Sequence, residues 1–355
     1  MASGRPPPTK SPNTTLPITT TRPWPTPGSW RNDPRLVSPA PAGIHNGASK
    51  MPAQRTFGMD HPHHEWSPII SRPTLRWPAN APVALCVVLV LEHMEWQAPE
   101  GSFQVENLAG ASVPRAFPDY ARLSHREYGH RVGIFRLLDT LEKHGITATI
   151  AMDALTAEHY PYLVRHCLDR GCEIIGHGVS VSRMITDNMS EAEERAYIQQ
   201  SIDALSRATG RTPQGWFGPE YGESQNTPRL LAEAGLRYVC DWANDEQPYP
   251  MTTGPNPFFA LPLLYELDDV ASLAQRKVTV ADYQRRLTES FDTLREDGES
   301  SGQGRLLALN WHPWLVGQPF RIGAVDAALE HMMASGGVWP ATGSQIVEWY
   351  QSQNT

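Results

Sequence analysis

No run of Lys and Arg interrupts the 355-residue chain, and no apolar stretch reaches the roughly 18–20 residues needed to cross a bilayer. With 30 basic against 38 acidic residues the formal charge is −8, which leaves little to displace counterions from a phosphate backbone. Nucleic acid and membrane are therefore not expected partners. Cysteine is scarce as well: Cys86, Cys167, Cys172 and Cys240 form no CxxC pair and no small-disulfide spacing, and they read as reduced core residues. No apolar leader follows the first basic residue, so a cytoplasmic location is the expectation.

What the chain does have is enough apolar residue, 40 %, for a sizeable core. Residues 1–62 are the exception. They hold more than a third of the 32 prolines and show no apolar periodicity. Such a segment cannot offset its ordering entropy by burial, which predicts a disordered extension. The alternative is an arm that packs on a neighbouring subunit through Trp24, Trp30 and Phe57. So many prolines argue against the amphipathic helix of a transit peptide.

From residue 63 to 355 strand and helix patterns alternate. Val83 to Leu91 is a continuous apolar run of strand length, as expected for a strand covered on both faces. Further strands are predicted at Ala148 to Met152, Glu173 to Gly176, Gly215 to Phe217, Tyr238 to Asp241, Phe259 to Leu264, Leu306 to Trp311 and Gly337 to Trp339. Helices are predicted at Val132 to Lys143, Tyr160 to Arg170, from the Ser190/Glu193 capping box to about Arg207, Thr227 to Ala234, Val280 to Arg295 and Ala324 to Met333. Repeated β-then-α units predict a parallel sheet sheathed by helices, closed or nearly closed into a barrel.

Several of these strands end on side chains that move protons near neutral pH. Val83 to Leu91 runs into Glu92-His93-Met94-Glu95-Trp96, Glu173 to Gly176 into His177-Gly178, and Leu309 to Trp311 into His312-Pro313. Barrel enzymes keep their chemistry at such strand ends. Glu92 reads as a general base or as a solvated loop carboxylate, and His177 as catalytic or structural. Alternation turns Glu92 and His93 to opposite sides unless the strand has already ended. Glu95 and Trp96 are candidate pocket walls. The Gly215 to Gly222 segment carries Trp216, Glu220 and Tyr221 on a Gly/Pro turn whose backbone N–H groups could cradle an oxyanion. Asp241, beside Trp242, reads as the carboxylate that orients His312 and raises its pKa, or as a turn cap.

In order and spacing, these segments resemble the signature set of the polysaccharide deacetylase family, the NodB-homology fold, from about Pro73 to Tyr350. Glu127 to Gly133, Trp216 to Asn226, Asp245 to Tyr249 and His312 through Ile322 are most similar to its allantoinase and cyclic imide hydrolase branch. The resemblance implies a distorted (β/α)7-type barrel. It places Glu92 at the base position, His93 where a carboxylate metal ligand usually stands, and His177 at the first of two metal histidines, with Val181 in place of the second. His93 and His177 are the metal candidates it leaves, for one zinc-like divalent ion, and metal-independent chemistry is the other expectation. Arg131 is the candidate to steady the base.

The sequence thus predicts a hydrolase of a carbon–nitrogen bond in a small, cyclic amide, with Glu92 as base, His177 and backbone N–H groups near Tyr221 on the oxyanion, and His312 as acid oriented by Asp241. Glu95, Trp96, Arg131, Trp216, Glu220, Tyr221 and Trp242 are the expected substrate contacts. The alternatives are metal-dependent deacetylation of an amino sugar polymer and a non-catalytic carbohydrate-binding relative. Analogy with the branch implies a homo-oligomer.

Overall fold

A computed structural model describes residues 60–97 and 118–353; the extension expected over residues 1–62 lies almost wholly outside them, as do Trp24, Trp30 and Phe57. The fold is organised by β1 (Val83–Leu91), whose nine residues are all buried. Val83, Leu85, Val87, Leu89 and Leu91 pack in one apolar cluster with residues of the surrounding helices. Ala84, Cys86, Val88 and Val90 pack in another with Ala151, Ile175, Phe217, Leu306 and Ala308, which fill the interior of the sheet. An unbroken apolar run is what a strand needs when its odd residues meet helices and its even residues meet other strands.

The neighbours of β1 are parallel: β2 (Thr149–Met152) on one edge and β8 (Arg305–Trp311) on the other. The sheet continues from β2 through β3 (Glu173–Gly176), β4 (Gly215–Trp216), β5 (Tyr238–Val239) and β7 (Phe259–Ala260) to an antiparallel edge, β6 (Tyr249–Pro250). A short β9 (Val338–Pro340) pairs with Val83 to Leu85, along the part of the β1 edge that β2 leaves open. The ladder order is open between the edge strand β6 and β8. Two backbone bonds span the gap, from Leu264 N to Ala308 O at 2.9 Å and from Leu306 N to Glu246 O at 2.7 Å. The expected barrel is therefore present in distorted, nearly closed form.

Nine helices among the described residues clothe the sheet: α1 (Tyr120–Tyr128), α2 (Ile134–Lys143), α3 (Ala154–His159), α4 (Pro161–Asp169), α5 (Glu191–Thr209), α6 (Thr227–Glu233), α7 (Val280–Ser301), α8 (Ile322–Ser335) and α9 (Gly343–Gln353). The Ser190/Glu193 capping box opens α5, and Gly210, at φ 73°, closes it. Three expectations change. The strand at Phe259 stops at Ala260, because Pro262 offers no N–H to a ladder. The helix expected to end near Arg295 runs on to Ser301; Gly298 is tolerated within it because a Cβ there would lie 2.7 Å from the Pro82 carbonyl oxygen. The helix expected from Val132 follows a π-helical turn, Gly129–Gly133, that joins it to α1. No described helix is long and apolar enough to cross a membrane.

Candidate active site

Strand alternation selects the side chains that reach the barrel mouth. Two positions beyond the inward-facing Val90, Ile175 and Asn310 stand Glu92, His177 and His312, and all three line one cavity of about 120 Å³. Phe217, Glu220, Tyr221, Tyr265, Asp268 and Gln275 also line it. The same alternation, continued past the end of β1, sends His93 the other way. Its ring packs edge-on against His159 at 5.0 Å, and its backbone N–H donates to Asp153 Oδ2 at 2.5 Å. Glu92 and His93 thus do not share the cleft.

Glu92 is buried and its Oε1 accepts from Arg126 Nη1 on α1. Burial lowers the Arg126 pKa to about 10, which leaves the guanidinium charged at neutral pH. Arg126 rests on the Trp314 ring, 4.7 Å from its centroid. Its position follows from glycines in the π turn. A Cβ at Gly133 would fall 1.9 Å from Pro313 O and one at Gly129 2.9 Å from Trp314 N, so only glycine lets α1 press against the loop after β8. Arg131, the expected partner of the base, is instead exposed on the outer side of that turn.

His177 is fully buried, and its Nδ1 lies 2.5 Å from the Phe217 carbonyl oxygen. A carbonyl only accepts, so Nδ1 carries the proton. Burial lowers the pKa to about 4, so the ring is neutral and Nε2 presents a bare lone pair. That nitrogen finds no hydrogen-bond partner and faces Glu92 Oε2 at 3.7 Å. In this tautomer His177 accepts rather than donates, which removes it from the oxyanion role. The backbone N–H groups of Tyr221 and Gly222 are unavailable for that role too, since they donate to Gly218 O at 3.0 Å and Pro219 O at 2.9 Å.

His312 has the opposite electrostatics. Its Nδ1 lies 2.7 Å from Asp269 Oδ1, and its backbone N donates to Asp269 Oδ2 at 2.8 Å. Burial alone would lower its pKa, but the Asp269 charge and hydrogen bond outweigh that and raise it. Nε2 is left at the cavity. The expected orienting carboxylate, Asp241, is not the partner. Its Oδ1 accepts from Gly218 N at 2.8 Å, and burial pushes its pKa up to about 7 beside Glu223. It braces the turn that carries Glu220 and Tyr221.

Other expected contacts lie elsewhere. Glu95 is held by Arg183 at 2.5 and 2.8 Å and by Ser180 at 2.6 Å, and so ties down the loop after β3. Trp96 is exposed against Tyr120, and Trp216 is buried in an apolar cluster behind β4. Trp242 donates to Glu223 at 3.0 Å and packs against the rings of His61, His63 and His64. None of the four lines the cavity. Arg126 and Asp269 were missed. The sequence signal for Asp269 is the Asp268-Asp269 pair ahead of an apolar run; Arg126 sits in the last turn of α1, a helix that the pattern did not reveal.

A divalent ion of the kind the family resemblance implies would need three donors. Val181, in place of the second histidine, is buried with Met94 and Leu123. His93 points away, and the Arg126 charge already neutralises Glu92. Glu92 Oε2 and His177 Nε2 make only a pair, so these residues do not fit a resident ion. Among the described residues one trio is close enough to share a cation: Asp268, Asp269 and His312. Its atoms are already committed. Besides the His312 bonds to Asp269, the Asp268 carboxylate accepts from Asn310 at 2.6 Å, Ala271 N at 2.7 Å and Tyr221 at 3.1 Å.

A nearly closed α/β barrel that gathers a buried carboxylate, a neutral imidazole and a positively biased imidazole at its strand ends can carry out general acid–base chemistry. Residues 127–239 match the family model described as polysaccharide deacetylase. A Schizosaccharomyces pombe protein assigned by name to the polysaccharide deacetylases is 26 % identical over 247 residues, 64 % of this chain and 75 % of that protein. The crystal structure of PuuE allantoinase aligns with a TM-score of 0.71 at 26 % identity, covering 83 % of this chain and 98 % of its own. A Pseudomonas aeruginosa PAO1 crystal structure, also assigned by name to the polysaccharide deacetylases, aligns at 0.69 and 25 %, covering 80 % and 95 %. Over residues 127–239 the chain thus matches the polysaccharide deacetylase domain of a hydrolase family, and its fold is that of the NodB-type structural neighbours.

Proposed function

We propose that the protein hydrolyses a carbon–nitrogen bond in a small, cyclic amide, a ureide or an imide. The observation that carries this reading is the convergence of Glu92, His177 and His312 on one cavity of about 120 Å³. Pockets for drug-sized ligands run from ~300 to 1,000 Å³, so this one suits a single small ring better than a sugar chain. The alignment with PuuE allantoinase supports the same substrate class.

In this mechanism the attacking water lies between Glu92 Oε2 and His177 Nε2, both of which accept, so its oxygen lone pair is turned toward the substrate carbonyl. Glu92 takes one proton as the oxygen–carbon bond forms. The charge that builds on the carbonyl oxygen is met by the His312 imidazolium, whose Nε2–H then protonates the departing ring nitrogen as the carbon–nitrogen bond breaks. Asp269 holds that imidazolium charged, and Arg126 keeps Glu92 ionised in its buried position. Proton transfer from Glu92 back to His312 through solvent resets the site. The same reading takes the protein to act as a homo-oligomer in the cytoplasm.

Purified full-length protein, screened against allantoin, hydantoin, succinimide and N-acetylglucosamine oligomers, is expected to open a ring. Glu92→Gln and His312→Ala should each lose turnover by a factor of ~100 or more while keeping the wild-type far-UV spectrum. Near-normal rates in either variant would retire the mechanism. Deacetylation of an amino sugar is the second reading, favoured by the name of the Schizosaccharomyces pombe relative, and turnover of the sugar oligomers alone would select it.

A further inference from the structure

Glu220 stands in a conformation that its side chain does not favour. Its backbone lies at φ 54°, ψ 32°, and Tyr221 beside it at φ 60°, in the left-handed region where a non-glycine residue is strained. Glycines close the turn on either side: a Cβ at Gly218 would meet Gly222 O at 2.6 Å. Strain of this kind persists where the surrounding structure over-determines it, and it gathers at ligand sites. Here it delivers a carboxylate to the cavity wall. No described residue donates a hydrogen bond to that carboxylate; Arg126 Nη2 approaches Oε1 only to 3.9 Å. The Arg126 guanidinium therefore lies between Glu92 and Glu220.

Resting on the cyclic-amide reading, we propose that Glu220 selects the substrate: it accepts a hydrogen bond from a second ring N–H, so the preferred ligand is a neutral cyclic ureide rather than an imide. Glu92, Glu220 and Asp268 all line the cavity, and this excess of carboxylate disfavours anionic rings and favours N–H donors. Gln275, also on the wall, can donate to a second carbonyl oxygen. Glu220 is neither the base nor the acid in this scheme, so its contribution appears in KM.

The test compares two five-membered rings of like size, hydantoin with two ring N–H groups and succinimide with one, using full-length wild-type, Glu220→Gln and Glu220→Gly proteins. The glycine variant relaxes the left-handed backbone and so separates folding from recognition. Both variants should raise KM for hydantoin about 10–100-fold, the scale of one hydrogen bond to a charged acceptor, and change succinimide less than ~3-fold. Equal losses on both rings, or a loss confined to kcat, would overturn the selection role while leaving the hydrolase reading intact. Failure of wild-type protein to open either ring would overturn both.

Discussion

Replacing Asp269 by Asn keeps the shape of the side chain and removes its charge, and the consequence should fall on His312. Both Asp269 oxygens serve that residue, one at Nδ1 at 2.7 Å and one at the backbone N at 2.8 Å. Burial pulls the His312 pKa down; the charge of the Asp269 carboxylate is the strongest influence that reverses this. A hydrogen bond to a charged group contributes ~1.5–3 kcal/mol. The substitution should therefore lower the His312 pKa, because burial is then no longer opposed by the Asp269 charge. Proton-detected carbon NMR of histidine Cε1–H groups measures it without a substrate, with the His312 signal identified by its loss in His312→Gln. In a turnover assay the basic limb of the pH profile should move to lower pH by the same amount, so rates on that limb drop ~10–100-fold. Asp241→Asn serves as the control, because Asp241 braces Gly218 and makes no bond to His312. An unchanged His312 titration in Asp269→Asn, or an equal shift in Asp241→Asn, would refute the assignment.

Two further outcomes follow from packing and burial. Gly133→Ala places a Cβ 1.9 Å from Pro313 O, against backbone that cannot step aside; thermal or chemical unfolding should show a loss of ~1–3 kcal/mol, with reduced turnover because His312 sits next to Pro313. His130, buried and stacked on Tyr160, has its pKa lowered by burial to about 4. The unfolded chain takes up this proton near pH 6.5 while the fold refuses it until about pH 4, so the residue costs stability progressively as pH falls through that window. His130→Phe removes the cost, and its stability relative to wild type should improve by ~3 kcal/mol between pH 7.5 and pH 4. A pH-independent difference in denaturant titrations would contradict the buried neutral state.

The inner face of the barrel was legible because it obeys a period of two. Once Val83 to Leu91 is read as a strand covered on both faces, Glu92 lies on the side of Val88 and Val90, and the same counting places His177 and His312. The capping box at Ser190 is equally local and was equally readable. Expectations based on neighbourhood in sequence fared differently. Glu95 and Trp96 follow Glu92 closely, yet Arg183 and Tyr120 claim them. Arg131 lies five positions from Arg126, but on a helical surface that offset points a side chain away from the site.

The chain by itself determined the alternation of strands and helices, the strand ends that carry Glu92, His177 and His312, and the turn that carries Glu220 and Tyr221, because each depends on residues within a few positions of one another. Tertiary structure alone decided which charges face them. Arg126 reaches Glu92 from 34 positions away because two glycines let a helix settle on the loop after β8. Asp269 reaches His312 across 43 positions, through a π-helical segment that no periodicity announces. Coulomb energy and burial depend on distance in space, and sequence spacing does not encode that distance once the chain has turned back on itself.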